Sequence, residues 1–186
     1  SEGKIATPNM DRIAREGMIF TDAHTPSSVC TPTRYGTLTG RYNWRTKLQK
    51  GVLGGLSPRL IEQDRMTVAN MLKEQGYHTA AVGKWHLGLG DPKPDWNGDL
   101  KPGPLEIGFD HCLLLPTTND RVPQVYVDDH RVRNLDPKDP LWVGDKAPDE
   151  NHPTGITHRD TLRMNWTHGH NQTIHNGIGR IGFYTG

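Results

Sequence analysis

At 186 residues the chain has room for one ordinary domain or part of a larger one. Its 22 Lys and Arg nearly cancel its 21 Asp and Glu, so no broad field draws it to nucleic acid or an anionic membrane, and any anion binding must be local. Two cysteines, Cys30 and Cys112, exclude a disulfide scaffold while leaving a single bridge open, and the longest apolar runs, such as Cys112-Leu113-Leu114-Leu115, are far too short to span a bilayer.

Thr7-Pro8 predicts an N-cap followed by proline at the first helical position, with Met10, Ile13 and Ala14 on one face and Gly17 just past the end. Met18-Ile19-Phe20 then reads as a brief strand. Thr31 is placed to cap a helix running from Pro32 to about Thr39 and stopped by Gly40, which sets Cys30 just before a helix N-terminus. Backbone N–H groups there favour an anion. Thr67 to Gly76 repeats the helical scheme with Val68, Met71 and Leu72 apolar, and residues 77–82 are extended afterwards. Helix, glycine and strand in succession, twice over, predict an α/β fold.

Residues 91–104 are rich in Pro, Gly and Asp and are expected to form a loop. Residues 108–115 read as a buried strand, and Val125-Tyr126-Val127 with Arg131-Val132-Arg133 flank Asp128-Asp129-His130 as a hairpin would. Residues 134–180 carry too few apolar side chains to build a core of their own and read as a long insertion. The sequence turns apolar again at Ile181-Gly182-Phe183-Tyr184, so the chain is expected to stop within an element.

Cys30-Thr31-Pro32-Thr33-Arg34, followed by Leu38-Thr39-Gly40-Arg41, resembles the C-x-P-x-R signature of the type I, formylglycine-dependent sulfatases with its Leu-Thr-Gly-Arg continuation. The likeness extends back through residues 7–17 and forward to Gly83-Lys84-Trp85-His86-Leu87-Gly88. Three family segments in family order, spread over about the first 120 residues, carry far more weight than five residues alone. The resemblance implies an incomplete alkaline-phosphatase-like mixed-sheet α/β sandwich. On this reading residues 1–186 are part of the N-terminal catalytic domain, with a hairpin and loop-rich insertion over 121–186.

The family's chemistry, carried over, makes Cys30 the formylglycine precursor and a metal ligand. The hydrated aldehyde is a gem-diol: one hydroxyl attacks sulfur, and the second expels sulfate and restores the aldehyde. Arg34 would steady the modified residue by charge-assisted hydrogen bonding, and Lys84 would pair with sulfate or the diol oxygen. His86 would orient the diol and accept its proton, a task for a side chain titrating near neutrality. Thr118 falls where the family often has a Ser hydroxyl near the sulfate. The implied partners are a sulfate ester, aryl or carbohydrate, and a formylglycine-generating enzyme acting on the unfolded chain. Sulfatases of this kind are often periplasmic or secreted, and an export signal would precede Ser1.

The family's calcium is held by hard oxygen ligands, an Asp pair before the nucleophile segment and an Asp-Asn or similar pair well after it. Neither pair stands in its place here, and Asp128-Asp129, which follows Cys30, is better explained as a hairpin turn. The chain alone is therefore expected to be inactive. Blander assignments compete elsewhere. Cys112 fits an ordinary buried thiol. His152, His158, His168, His170 and His175 fit polar loop histidines better than a zinc site, since no Cys or second tight pair completes a tetrahedral set. Asn165-Trp166-Thr167 and Asn171-Gln172-Thr173 fit a glycosylation sequon that often arises by chance. Two other functions keep the same segments: a phosphonate or phosphate ester hydrolase of the superfamily, and a non-catalytic remnant that binds without turnover.

Overall fold

The protein was analysed as a computed structural model, which describes residues 3–118, 123–138 and 140–141. Helix α1 spans Pro8–Glu16, α2 Cys30–Thr39 and α3 Val68–Glu74. Strands β1 (Ala80–Lys84), β2 (His111–Leu115), β3 (Val127–Asp128) and β4 (Arg131–Val132) form one sheet in the order β1-β2-β3-β4. β1 and β2 are parallel, with Ala80 opposite His111 and Lys84 opposite Leu115, and the remaining pairings are antiparallel. The expected α/β architecture is present as a small mixed sheet.

Local chemistry explains most of the boundaries. Thr67 and Asn70 form a reciprocal capping box at the start of α3, and the Thr67 hydroxyl also donates to the Ile107 carbonyl at 2.7 Å. Gly76 ends the segment at φ 82°. The strand expected over 77–82 begins only at Ala80, because Thr79 is caught by the Asp110 carboxylate and the Gly108 carbonyl. Similarly, the strand expected from residue 108 begins at His111. Gly108 closes a short 3₁₀ turn, Leu105–Ile107, at φ 107°, where a Cβ would lie 2.6 Å from the Asn70 nitrogen.

β2, expected as a buried strand, is buried at alternate residues only: Cys112 and Leu114 are fully buried and His111 is exposed. With Tyr35, Leu60, Leu87 and Val127 they form the core. The loop over 91–104 contributes to it through Trp96 and Leu100, so it lacks regular structure yet is anchored by burial. The hairpin is also present, turning at Asp129-His130. Asp129 takes a left-handed φ of 52°, and its carboxylate accepts from the Cys112 N–H at 2.9 Å and pairs with His111 Nδ1 at 2.8 Å.

Three expectations need correction or fall outside. Met18-Ile19-Phe20 forms no strand: each side chain is at least 66% exposed, and no neighbour among the described residues offers it a ladder. α1 forms, but its apolar face is bare, with Met10 and Ile13 exposed, and Thr7 donates to Asp11 Oδ1 at 3.1 Å instead of capping. The downstream histidines from His152 and both sequons lie outside the described residues.

Candidate active site

Helix α2 starts at Cys30, two residues earlier than the Pro32 start that the sequence suggested. Val29 is the extended residue before it, and its N–H donates to Ser27 Oγ at 3.2 Å, so Cys30 is the first helical residue. Thr31 does not cap. Fully buried, it sends its hydroxyl across to the His86 carbonyl at 2.9 Å. One turn further, Arg34 Nη1 donates to the Lys84 carbonyl at 2.6 Å. Behind the helix, a Cβ on Gly36 would lie 2.5 Å from Pro26 Cγ, so the approach of this segment is close enough to require glycine. Gly40 ends α2 at φ 64°, as its position predicts.

Lys84 is the last residue of β1, and the parallel ladder runs on past it: Trp85 N–H donates to the Leu115 carbonyl and His86 N–H to the Pro116 carbonyl, both at 2.8 Å. His86 is fully buried with φ 59°, a backbone region that non-glycine residues seldom occupy. Its Nε2 lies 2.7 Å from the Leu53 carbonyl. Gly88 then turns the chain at φ 77°, where an added Cβ would collide with the Pro58 carbonyl. Residues 57–60 run beside residues 87–90, linked by Arg59 N–H to Gly90, Leu60 N–H to Leu87 and Leu89 N–H to Ser57.

Cys30, Arg34, Lys84 and His86 are thereby gathered where α2 begins and β1 ends. Thr118 follows the carboxyl end of β2, shortly after Pro116, whose carbonyl accepts from the His86 N–H. In open α/β sheets that end of the parallel strands is where ligands bind. Three buried polar atoms there, Arg34 Nε, Thr117 Oγ1 and Thr118 Oγ1, have no hydrogen-bond partner among the described residues. Leaving such groups unsatisfied costs about 1–3 kcal/mol each, so they suit an anion with several acceptor oxygens.

Both cysteines are free thiols, which settles the bridge left open above. Cys30 is half-buried, whereas Cys112 is enclosed in the core, and burial together with the nearby Asp129 carboxylate pushes its thiol up to about 12. It behaves as the inert hydrophobe expected.

Among the described residues, a convergent set of three metal-ligating side chains is formed by His111, Asp128 and Asp129. His111 pairs with Ala80, the first residue of β1, while α2 meets Lys84, the last. Four steps of about 3.3 Å separate the two ends. Among the described residues Cys30 therefore has no carboxylate set of this kind, and those residues do not fit the family's calcium. Sequence reasoning missed the role of Thr31, which it took for a cap, and that of Leu53. Leu53 reaches His86 through its carbonyl, which leaves no trace in side-chain chemistry.

Residues 1–131 match the family model for sulfatases, and the chain belongs to that family. It is similar to the N-acetylgalactosamine-6-O-sulfatase of Bacteroides thetaiotaomicron, 45% identical over 185 residues, which make up 98% of this chain and 36% of that protein. Arylsulfatase A of Bos taurus is 41% identical over 117 residues, 63% of this chain and 22% of that one. A solved Bacteroides thetaiotaomicron sulfatase, described in connection with the metabolism of multiple glycosaminoglycans, superposes with a TM-score of 0.73 at 43% identity. That overlap covers 86% of this chain and 33% of the other. The fold is thus the alkaline-phosphatase-like fold of sulfatases, in a chain spanning about a third of the length of its first relative.

Proposed function

We propose that this chain carries the nucleophile and part of the anion site of a sulfuric ester hydrolase, with Cys30 oxidised to formylglycine. One observation carries the reading. The first turns of α2 are bonded to the carbonyls of Lys84 and His86, so segments some fifty residues apart in sequence meet at one strand end.

Hydrated formylglycine supplies the gem-diol whose two hydroxyls attack sulfur and then release sulfate. The remaining tasks fall to the chain's own side chains. Arg34, held by the Lys84 carbonyl, keeps its Nε–H available among the described residues for the modified residue, and Lys84 brings a second positive charge to the sulfate. Thr118 offers a hydroxyl in the same unpartnered state. His86 accepts the proton released on elimination. Calcium is implied for a protein of full family length, but it has no ligand set around Cys30 among the described residues and no step is assigned to it. Because Thr31 and Pro32 beside Cys30 are buried in α2, the maturing enzyme must act before this segment folds.

Within sulfate esters the reading favours a carbohydrate sulfate. The match to the N-acetylgalactosamine-6-O-sulfatase runs over 98% of the chain, past the end of the family model, whereas the match to arylsulfatase A covers 63%.

Tandem mass spectrometry of the Cys30 peptide from the native source tests the nucleophile. An aldehyde at Cys30 is expected. An unmodified thiol would remove the mechanism and leave a binding protein without turnover.

A further inference from the structure

We infer that Thr31 and the Leu53 peptide group form a clip that positions His86 and fixes the proton of its neutral ring on Nε2, leaving Nδ1 as the nitrogen that exchanges protons. The inference deepens the reading of His86 as proton acceptor and rests on it for its catalytic meaning, but its geometry stands independently.

Three hydrogen bonds close a ring around the site. The Leu53 carbonyl lies 2.7 Å from His86 Nε2. The Leu53 N–H donates to Thr31 Oγ1 at 3.3 Å, and that same hydroxyl donates to the His86 carbonyl at 2.9 Å. The directions are forced. A carbonyl oxygen only accepts, so His86 Nε2 must carry hydrogen, and in the neutral imidazole the lone pair then belongs to Nδ1. Thr31 has one hydroxyl proton, which goes to His86, and an oxygen lone pair, which receives Leu53.

Both side chains are fully buried, so water cannot compete for these bonds. His86 also sits at φ 59°, a conformation that persists only where its surroundings hold it, and the Thr31 hydroxyl holds its carbonyl. Leu53 is delivered by a turn with Gly51 at φ 77° and closed by the Gly54 N–H donating to Ser57 Oγ at 3.0 Å. From there the chain runs beside residues 87–90, so the peptide group of Leu53 is fixed on both sides. Thr31 thus acts through His86 as a positioning residue. It stands next to Cys30, so the nucleophile and the proton acceptor are registered by adjacent residues of one helix.

The test is a long-range ¹⁵N–¹H correlation spectrum of the full chain labelled in its histidine rings, recorded where the His86 ring is neutral. The His86 signals are identified by their disappearance in His86→Gln. A pure Nε2–H tautomer is expected for the unsubstituted chain; an Nδ1–H tautomer or a mixture would overturn the inference. Thr31→Val, which keeps shape and loses the hydroxyl, is expected to shift His86 toward a tautomer mixture, and Thr31→Ser to retain the pure form. Unchanged His86 signals in Thr31→Val would remove Thr31 from the clip. Because none of these readouts depends on Cys30 oxidation or turnover, the clip and the proposed hydrolase can fail separately.

Discussion

The two ends of the parallel pair β1–β2 share one ladder and are finished in opposite ways. At the amino end no buried side-chain polar atom among the described residues lacks a partner. The Asp110 carboxylate accepts from the Thr79 N–H at 3.0 Å and pairs with Lys73 at 2.5 Å, while the Thr79 hydroxyl donates to the Gly108 carbonyl at 2.8 Å. At the carboxyl end Arg34 Nε, Thr117 Oγ1 and Thr118 Oγ1 are buried without partners among the described residues. A protein optimised only for stability would pair both ends alike. The difference teaches that one end holds the sheet together, while the other leaves buried polar atoms unpaired among the described residues, as the proposed anion site requires.

The largest effect should come from tightening the turn behind the site. Gly88→Ala combines a φ of 77° with a collision against the Pro58 carbonyl, and a loss of about 3 kcal/mol or more is expected in urea unfolding. Gly40→Ala shares the left-handed φ, at 64°, but meets nothing within 4 Å, so about 1 kcal/mol is expected there. Equal losses at the two glycines would show that backbone angle alone, not the approach of residues 57–60 to 87–90, governs that region.

Next, one substitution made at both ends sharpens the contrast. Thr79→Val strands the Gly108 carbonyl and should cost about 1–2 kcal/mol. Asp110→Asn should act through acidity. The hydrogen bond from Lys73, helped by that from the Thr79 N–H, holds the Asp110 carboxyl down from 3.8 to about 2. A carboxyl lowered in the folded state contributes stability that is present above its unfolded value and lost as pH falls through the folded one. The acid limb of the stability profile between about pH 4 and pH 2 should therefore flatten in Asp110→Asn. The smallest effect is expected at the other end: Thr117→Val removes a buried hydroxyl without a described partner and should stay within about 0.5 kcal/mol of neutral. A loss there as large as at Thr79 would break the comparison.

Much of this was legible in the sequence wherever the signal was local. The helix after Thr67, the glycine stops at Gly40 and Gly76 and the hairpin around Asp129 all depend on residues close in the chain. Cys30, Arg34, Lys84 and His86 were readable as motif residues, and the fold gathers their segments at one strand end. What stayed hidden depends on distant partners. Met18-Ile19-Phe20 has strand composition, but a strand exists only with a neighbour. Thr31 has the composition of a cap, yet its hydroxyl is committed to a carbonyl 55 positions away. Leu53 meets Thr31 and His86 through its peptide groups while its side chain packs against the core, so nothing in that side chain marks these bonds.

The bare face along α1 and the segment after it also makes the molecule its own probe. Met10 and Met18 stand 69% and 71% exposed among apolar neighbours that water also reaches. Thioethers in that state are open to peroxide, and each sulfoxide gained registers as added mass on an identifiable peptide. Any polypeptide that comes to lie over this face will slow oxidation at those two positions together. The rate of that reaction therefore measures occupancy of the surface without a label being introduced.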